Sequence, residues 1–274
     1  MGGGDVADQG ADKVRVRLSK VEKTLLWTVY HKVLDFRNAE PVLGDVWAVD
    51  VMDRLEFDRR DLLGVAGDRY FVLLRARRID MWVREWISAN QGGTVLQLAC
   101  GLDARALRIG APEHGRWIDT DLPDVVALRR RVLPEPARYR LLAGSATESD
   151  WLAEIPADAP VLVVAEGLLE YLRPEETRAL LGRLLERFPA GGEMVFDVVS
   201  PPVGRLAKVF GYDMYAMEDP RMPERWYPRL ALTGDYEMIG DHASVPEKPF
   251  RSLYRVLSRW PSVRGMMRVL RFRF

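Results

Sequence analysis

Acidic side chains stand at the ends of segments that are typical of buried strands. Asp119 and Asp121 lie in the segment RWIDTD, and Glu166 directly follows the apolar run VLVVA. Alternation along a strand puts Asp119 and Asp121 on one face. A carboxylate there can accept hydrogen bonds from both hydroxyls of a ribose, while an acid just before Pro123 also suits a helix N-terminus. Glu166 is costly to bury without a partner, which favours a cleft over the core.

Two further strand ends carry less specific signals. Gly101 follows the predicted strand Thr94–Cys100, where it either lets a ligand approach the backbone or merely forms a turn. Ser145 follows the segment YRLLA, where it either bonds an adenine or caps the next turn. The motifs G-x-G-x-x-G, Walker A and G-x-S-x-G do not occur in the sequence. Their absence weakens the dinucleotide, P-loop and α/β-hydrolase interpretations.

Arg75 lies in the middle of an apolar helical face. At ~100° per residue, Ile79, Trp82 and Trp86 fall in the same arc, and Asp80 falls on the opposite side, where a charge is expected in solvent. A guanidinium at the centre of an apolar face requires an anion. That anion is either an internal Asp or Glu, or the carboxylate of a ligand, which the planar guanidinium binds well.

The elements that must position these side chains alternate between apolar strands and helices. This order predicts an α/β fold with a mostly parallel, doubly wound sheet. We expect a disordered tail over residues 1–12, an N-terminal helical lid over 13–92, and a core over 93–274 with an insertion at about 201–228. The predicted strands are Thr94–Cys100, Arg116–Asp121, Tyr139–Ala143, Val161–Ala165 and Met194–Val199, followed by Ala231–Ile239 and Met267–Phe274.

Composition excludes several classes of function. Forty Lys and Arg residues balance forty Asp and Glu residues, which counts against a dedicated nucleic-acid binder. The single cysteine, Cys100, and three scattered histidines form no spaced metal-ligand cluster, so we expect no metal. No segment approaches the ~20 apolar residues of a membrane span. We expect a cytoplasmic protein without membrane contact, either a monomer or a homodimer.

Several ordered segments together resemble the leucine carboxyl methyltransferase family. The branch they resemble most is the tetracenomycin-type O-methyltransferases of bacterial polyketide pathways. The order and spacing fit nearly the whole chain from Val14. The segments that carry the match are Thr24-Leu-Leu, VLQLACGLDAR (95–105), DTDLPDVVALR (119–129), AEGLLEYL (165–172), Phe188-Pro and VFDVVSP (195–201).

This resemblance implies a class I methyltransferase fold, Rossmann-like, that uses S-adenosylmethionine (SAM) and releases S-adenosylhomocysteine (SAH). It implies that Arg75 binds the SAM carboxylate and that Glu166 lies by the SAM amino group and the methyl-transfer site. Asp121 would hold the ribose, with Asp119 behind it. The other residues implied in cofactor binding are Ala99, Cys100 and Gly101 along the methionine part, and Leu122, Ser145 and Ala146 around the adenosine.

The chain departs from the family at informative positions. The family commonly has glycine at Ala99 and threonine at Ala104. At the position of Ser145, the branch of the family that methylates protein phosphatases has an acid. The serine in this chain therefore favours the small-molecule branch. The family usually has an apolar residue at Glu170, so this acid is either an added group at the active site or a solvent-facing helix residue.

We therefore predict a SAM-dependent methyltransferase, most simply an O-methyltransferase, acting on a small natural product. In-line displacement transfers the methyl group to an oxygen, nitrogen or carbon; a carboxylate acceptor needs no base, whereas a phenol, amine or indole benefits from one. The catalytic candidates are Glu166, Glu170 and Tyr30, with His242 as a further base. A SAM-binding regulatory or partner protein without transferase activity is the alternative, and a methyl esterase is a third. Aromatic candidates for the substrate pocket are Tyr30, Tyr212, Tyr215, Trp226 and Tyr227.

Overall fold

The computed structural model describes residues 13–15, 20–58 and 68–274. The predicted tail, residues 1–12, lies outside these ranges. The strands are β1 (Val14–Arg15), β2 (Leu55–Glu56), β3 (Thr94–Leu98), β4 (Arg116–Asp121), β5 (Tyr139–Ala143), β6 (Val161–Ala165), β7 (Gly192–Val199), β8 (Ala231–Glu237) and β9 (Met267–Arg273). The helices are α1 (Lys20–Phe36), α2 (Val46–Arg54), α3 (Tyr70–Ala89), α4 (Arg105–Ile109), α5 (Pro123–Val132), α6 (Pro174–Arg187), α7 (Pro201–Val209), α8 (Met222–Trp226), α9 (Lys248–Leu257) and α10 (Pro261–Arg264).

One seven-stranded sheet organises the chain, in the order β5-β4-β3-β6-β7-β9-β8. The strands from β5 to β7 pair in parallel, while β9 pairs antiparallel with both β7 and β8. The chain runs outward from β3 to β5 and then returns to β6, so the order reverses beside β3. In open α/β sheets, the crevice at such a reversal is where ligands bind, beyond the carboxyl ends of the strands.

The sheet is buried because helices cover both of its faces. On one face, Ile79, Val83 and Trp86 of α3 form a buried cluster with Val95 and Val164. On the other face, leucines of α6 pack against β3, β6 and β7. Each fully buried large apolar side chain contributes about 1.5–3 kcal/mol. The predicted lid, residues 13–92, includes α3, yet α3 packs on the sheet of the predicted core. The division into lid and core at residue 93 therefore stays a prediction.

The end of α3 depends on a glycine. The helix ends at Ala89, and Gly93 begins the return to the sheet. A Cβ at Gly93 would lie 2.4 Å from the Trp86 ring, so only glycine allows this close packing. The turn therefore fixes α3 against β3, and with it the position of Arg75.

Helices α1 and α2 pack against each other and cover the loop after β3. Leu26 and Val33 share a buried cluster with Val51 of α2 and with Leu102 and Ala104 of that loop. The chain that follows β7 contains α7 and α8, within the predicted insertion at about 201–228. Within the described ranges, no helix is both long and apolar enough to cross a membrane.

Candidate cofactor and active site

A cavity of about 900 Å³ opens at the carboxyl ends of β3, β4, β5 and β6. Its volume is in the range of pockets that enclose small molecules and cofactors. The structure brings all the predicted cofactor residues except Asp119 to its wall. These residues are Arg75, Ala99, Cys100, Gly101, Asp121, Leu122, Ser145, Ala146 and Glu166.

The loop after β3 reaches the cavity because its backbone turns sharply. Strand β3 ends at Leu98, two residues before the predicted end, since Ala99 has φ +48° and Gly101 has φ +52°. A Cβ at Gly101 would lie 2.7 Å from Leu25 Cδ2 of α1, so glycine keeps this part of the cavity open. The buried Cys100 donates its backbone N–H to the Thr120 carbonyl at 3.1 Å. The loop therefore presents backbone, rather than side chains, to a ligand.

Ala99→Gly should raise the free energy of unfolding by about 0.5–1 kcal/mol. A non-glycine residue in the left-handed region costs about 1–2 kcal/mol, and the extra flexibility of glycine in the unfolded chain offsets part of that gain. Urea denaturation measures the difference. Ala104→Gly is the matched control: Ala104 is buried with φ −88°, so the same change there should destabilise the protein. Equal losses in both variants would contradict strain at Ala99.

Asp121 lines the cavity, whereas Asp119 lies behind it. Asp121 Oδ2 accepts a hydrogen bond from the Gly101 N–H at 2.7 Å, and its Oδ1 accepts one from the Leu122 N–H at 2.7 Å. Burial, opposed by these two hydrogen bonds, raises the pKa of Asp121. Each oxygen keeps a second lone pair for a ligand hydroxyl. Asp121 thus both fixes the loop after β3 and faces the ligand space.

Asp119 is fully buried and its oxygens serve the protein itself. It accepts hydrogen bonds from Trp117 Nε1 at 2.6 Å, from Arg129 Nη2 at 2.6 Å and from Tyr139 Oη at 2.9 Å. Arg129 in turn donates to the carbonyls of Gly101 and Asp103. Asp119 therefore orients Arg129 beneath the loop and is absent from the described lining of the cavity, a position that fits the place expected for it behind Asp121. Its part in cofactor binding stays a prediction.

The loop after β5 supplies the other polar end of the cavity. Ser145 Oγ lies 2.8 Å from Thr147 Oγ1 and accepts from the Thr147 N–H at 3.3 Å, so its side chain caps this turn. The Ser145 carbonyl accepts from Trp151 Nε1 at 2.7 Å, and the Ala146 carbonyl accepts from Arg183 at 2.7 Å. Leu122 is about half exposed at the cavity wall. The hydrogen bonds fix the backbone of this loop, and the Leu122 side chain offers an apolar surface. Together they suit the binding of a flat heterocycle.

Arg75 is paired with internal acids. Its Nη1 lies 2.6 Å from Asp197 Oδ2, and its Nε lies 3.0 Å from Glu166 Oε1. Burial acts to lower the pKa of Arg75, but Asp197, Glu166 and Glu170 outweigh it and raise that pKa, so the guanidinium stays charged. The internal-acid alternative is therefore the arrangement in this structure. Nη2 takes no part in these pairs, so a role toward a ligand carboxylate stays a proposal.

Glu166 is an anchored carboxylate. Besides Arg75, it contacts Arg105 Nη2 at 2.5 Å, and that guanidinium is completely buried. Burial opposes the charge, but Arg105 and Arg75 together hold the pKa of Glu166 below its ordinary value. A carboxylate that is ionised and paired on both oxygens is a poor proton acceptor and a good partner for a cation. Its predicted role beside an amino group fits this environment better than a role as base.

Glu170 is buried, not solvent-facing. It lies in a short 3₁₀ turn, Leu169–Tyr171, and its side chain is only 4% exposed. Its Oε1 is 3.8 Å from Arg75 Nη1, whereas Oε2 is buried and has no hydrogen-bond partner among the described residues. Glu170 is among the residues that line the cavity. The expectation of an exposed helix residue is therefore wrong, because the chain leaves β6 in a tight turn that points this side chain inward.

A network of buried charges at the base of the cavity was not predicted. Lys32 Nζ of α1 lies 2.6 Å from Asp103 Oδ1, and Arg108 of α4 bridges Asp45, the N-cap residue of α2, and Asp80 of α3. Asp80 is 5% exposed, contrary to the solvent position expected from the helical arc. These ion pairs connect α1 to the loop after β3, and they connect the start of α2 and the middle of α3 to α4. The close spacing of Asp103, Arg105 and Arg108, a few residues after a buried strand, was the available signal.

The aromatic candidates separate into different roles. Tyr30 is half-buried on α1 and is absent from the described cavity lining, which instead includes Thr28, Val29 and Lys32 of that helix, so geometry does not support Tyr30 as catalytic. Tyr215 and Trp226 line a second, smaller cavity. Three other candidates lie outside the described linings of both cavities. Tyr227 donates a hydrogen bond to the Arg178 carbonyl, and the ring of Tyr212 packs edge-on against Trp27. His242 lies in a 3₁₀ turn.

No group of three or more His, Cys, Asp or Glu side chains in the described ranges is arranged to hold a metal ion. The polar groups at the cavity are instead hydrogen-bond donors, acceptors and paired charges. Such a site can bind and orient an organic molecule with a ribose, an amino acid part and a flat heterocycle.

Comparisons with known proteins agree with this geometry. A family model described as leucine carboxyl methyltransferase matches residues 36–185. The chain is 35% identical over 277 residues to the tetracenomycin polyketide synthesis O-methyltransferase TcmP of Streptomyces glaucescens, covering 94% of this chain and 98% of that protein. It is 33% identical over 267 residues to the S-adenosyl-L-methionine-dependent methyltransferase dpfgK of Gibberella zeae, covering 84% and 89%.

Solved structures share the fold at low sequence identity. A candidate methyltransferase from Thermobifida fusca has a TM-score of 0.58 at 15% identity, covering 83% of this chain and 92% of that chain. A duf574 family protein from Streptomyces avermitilis has a TM-score of 0.56 at 13% identity, covering 91% and 96%. The predicted class I methyltransferase fold is confirmed. By the family model and by its relatives, this chain belongs to the leucine carboxyl methyltransferase family.

Proposed function

We propose that this protein transfers a methyl group from SAM to a small-molecule acceptor, with SAH as the other product. The observation that carries the proposal is one cavity, at the reversal point of the sheet, lined by nearly every residue that the family resemblance implies for SAM. The names of two relatives agree, one an O-methyltransferase of polyketide synthesis and the other a SAM-dependent methyltransferase.

The residues at the cavity fit the chemical groups of SAM. Asp121 offers carboxylate lone pairs to the ribose hydroxyls, and the open backbone at Gly101 admits the methionine part. Glu166 is an ionised partner for the amino group, and Arg75 Nη2 provides N–H donors for the carboxylate. Leu122 and the loop at Ser145 provide a surface for the adenine. These lining residues support the proposed arrangement of SAM in the cavity.

The protein acts mainly by alignment. SAM supplies a methyl group on a positively charged sulfur, which is already a strong electrophile. The chain holds the donor and acceptor in line and excludes water, and orientation of this kind accounts for much of the rate in bimolecular transfers. Helices α1 and α2 pack over the loop after β3, and the ion pair between Lys32 and Asp103 holds α1 to that loop.

The finer proposal is O-methylation of a small natural product of the polyketide type. It is supported by the relative in tetracenomycin synthesis, which aligns over nearly the whole of both chains. The buried acid Glu170, where the family usually has an apolar residue, favours an acceptor that must lose a proton over a free carboxylate. Transfer to nitrogen or carbon remains compatible with that acid.

A product assay separates this proposal from a SAM-binding protein without transferase activity. The protein is incubated with methyl-deuterated SAM and a panel of polycyclic phenols, aromatic amines, indoles and carboxylic acids, and SAH and labelled product are measured by mass spectrometry. We expect equal amounts of SAH and of one O-methylated phenol. If SAM binds with a Kd in the micromolar range but no acceptor yields SAH, the binding-only alternative is correct.

A further inference from the structure

A second cavity adjoins the cofactor cavity. It has a volume of about 240 Å³, and Glu170 and Leu172 line both cavities. This volume is below the ~300 Å³ at which pockets begin to enclose a whole drug-sized ligand. The smaller cavity therefore fits a ring or a small fused-ring part of a molecule whose reacting atom lies near Glu170.

The wall of the smaller cavity is mainly apolar, and no basic residue is among its described lining. Trp226, Tyr215 and Met217 come from the chain after β7, and Leu169 and Val198 complete the apolar surface. Aromatic faces and methionine side chains pack well against planar rings. Among the described residues that line it, none is basic, while Glu170 and Glu218 are acids. The cavity therefore suits a neutral aromatic ring and disfavours a carboxylate.

Glu170 is the acid that pairs most weakly with Arg75. The groups that face it are Arg75 from α3, Asp197 from β7 and Glu166 from the end of β6. Asp197 and Glu166 lie within 2.6 Å and 3.0 Å of Arg75, whereas Glu170 is 3.8 Å away. The Oε2 atom of Glu170 is buried without a hydrogen-bond partner in the described part of the chain. The carboxyl group therefore keeps unused acceptor capacity in a residue that lines both cavities.

The same environment suits proton transfer near neutral pH. Burial, and next the neighbouring Asp197, raise the pKa of Glu170 to about 8, although Arg75 opposes them. A base is most effective when its pKa lies near the working pH. By contrast, Glu166 stays ionised and paired. Glu166 and Glu170 therefore have different chemical capacities, although both lie near Arg75.

Resting on the proposed function, we propose that the smaller cavity seats the ring of a neutral phenol and that Glu170 is the catalytic residue that accepts its proton. The acceptor oxygen forms a bond to the methyl carbon while the electron pair of the sulfur–carbon bond passes to the positively charged sulfur. The hydroxyl proton moves to the Glu170 carboxylate and is then released to solvent, which restores the base. The methyl ether and SAH are both neutral at the reacting atoms, so charge and atoms balance.

Three naphthalene probes test this proposal in one assay of SAH formation. 1-Naphthol carries a hydroxyl of ordinary acidity, 4-nitro-1-naphthol carries one that is ionised near neutral pH without a base, and 1-naphthoic acid carries a carboxylate. Glu170→Gln keeps the size of the side chain and removes the base. We expect kcat/KM for 1-naphthol to fall about 100-fold, and for 4-nitro-1-naphthol to change less than about threefold.

The pH profile adds a second readout. With 1-naphthol, kcat/KM of the wild type should rise as the pH passes about 8, where Glu170 loses its proton, and this inflection should be absent in Glu170→Gln. Glu175→Gln is the matched control, since Glu175 is exposed on the first turn of α6. Melting temperatures measured in parallel identify a folding defect, and Trp226→Phe should raise KM for the naphthols without changing the Kd of SAM.

Each other outcome has a distinct meaning. Equal losses with both naphthols, or no loss in Glu170→Gln, would overturn the role of Glu170 while SAH formation still supports methyl transfer. Efficient use of 1-naphthoic acid and not of the naphthols would overturn the substrate class but not the proposed function. If the wild type forms no SAH with any probe or with the wider acceptor panel, both proposals fail.

Discussion

Replacing Arg75 by alanine should lower the free energy of unfolding of the ligand-free protein by about 3–5 kcal/mol. The change leaves Asp197, which is completely buried, without its cation, and it removes one of the two partners of Glu166. A buried carboxylate without a partner must either stay charged in a poor solvent or take up a proton. The loss should therefore shrink as the pH falls toward the ordinary pKa of the carboxyls.

Urea denaturation at several pH values measures this effect. Arg84→Ala is the control, because Arg84 is an exposed arginine on the same helix and its loss should change stability by less than about 0.5 kcal/mol. If Arg75→Ala does not fold, the double variant Arg75→Met with Asp197→Asn should recover stability, since it removes the stranded charge together with its partner. A stability loss below 1 kcal/mol would mean that water, not Arg75, satisfies these acids.

Asp121→Ala should weaken SAM binding by roughly 2–4 kcal/mol, which is at least about 30-fold in Kd. Asp121 lines the cavity and has lone pairs to offer to two hydroxyls, and it also fixes the Gly101 backbone. Asp119→Asn should act differently. It weakens the contacts to Arg129 and Tyr139 inside the protein, so it should lower stability much more than affinity.

Titration calorimetry and thermal melting on the two variants separate these roles. The expected pattern is a large loss of affinity with a modest change in melting temperature for Asp121→Ala, and the reverse for Asp119→Asn. Equal or reversed losses of affinity would assign the ribose to another group. The comparison is sharp because both acids lie on one strand, two residues apart, and differ mainly in whether they reach the cavity.

The position of the cavity was predictable because strand ends are local features. Apolar runs such as Val161–Ala165 end where the sequence says they end, and parallel pairing then brings their carboxyl ends to one edge. The predicted end of the strand at Cys100 was two residues too late, because β3 ends at Leu98. No pattern of hydrophobicity indicates that Ala99 adopts a left-handed backbone. Strand positions that depend on the local apolar pattern were thus predictable. The backbone conformation of Ala99, which depends on packing against distant residues, was not.

Pairing between distant charges was the part that the sequence left open. Arg75 required an anion because it lies in an apolar helical face. Asp197 required a cation because it is the lone acid in the apolar run MVFDVV, and the two form an ion pair. Only the sheet order, which places β7 beside β6 and under α3, decides that the two meet. The same holds for Asp80, because a helical arc shows which side a residue faces but not what packs against that side.

The most direct measurement is the distance between the Asp121 carboxylate and the ribose hydroxyls in a crystal structure of the protein with SAH. We predict hydrogen bonds of ~2.6–3.2 Å from both hydroxyls, with the sulfur directed toward Glu170 and the smaller cavity. SAH bound outside the large cavity, or bound with its sulfur directed away from Glu170, would contradict methyl transfer at this site.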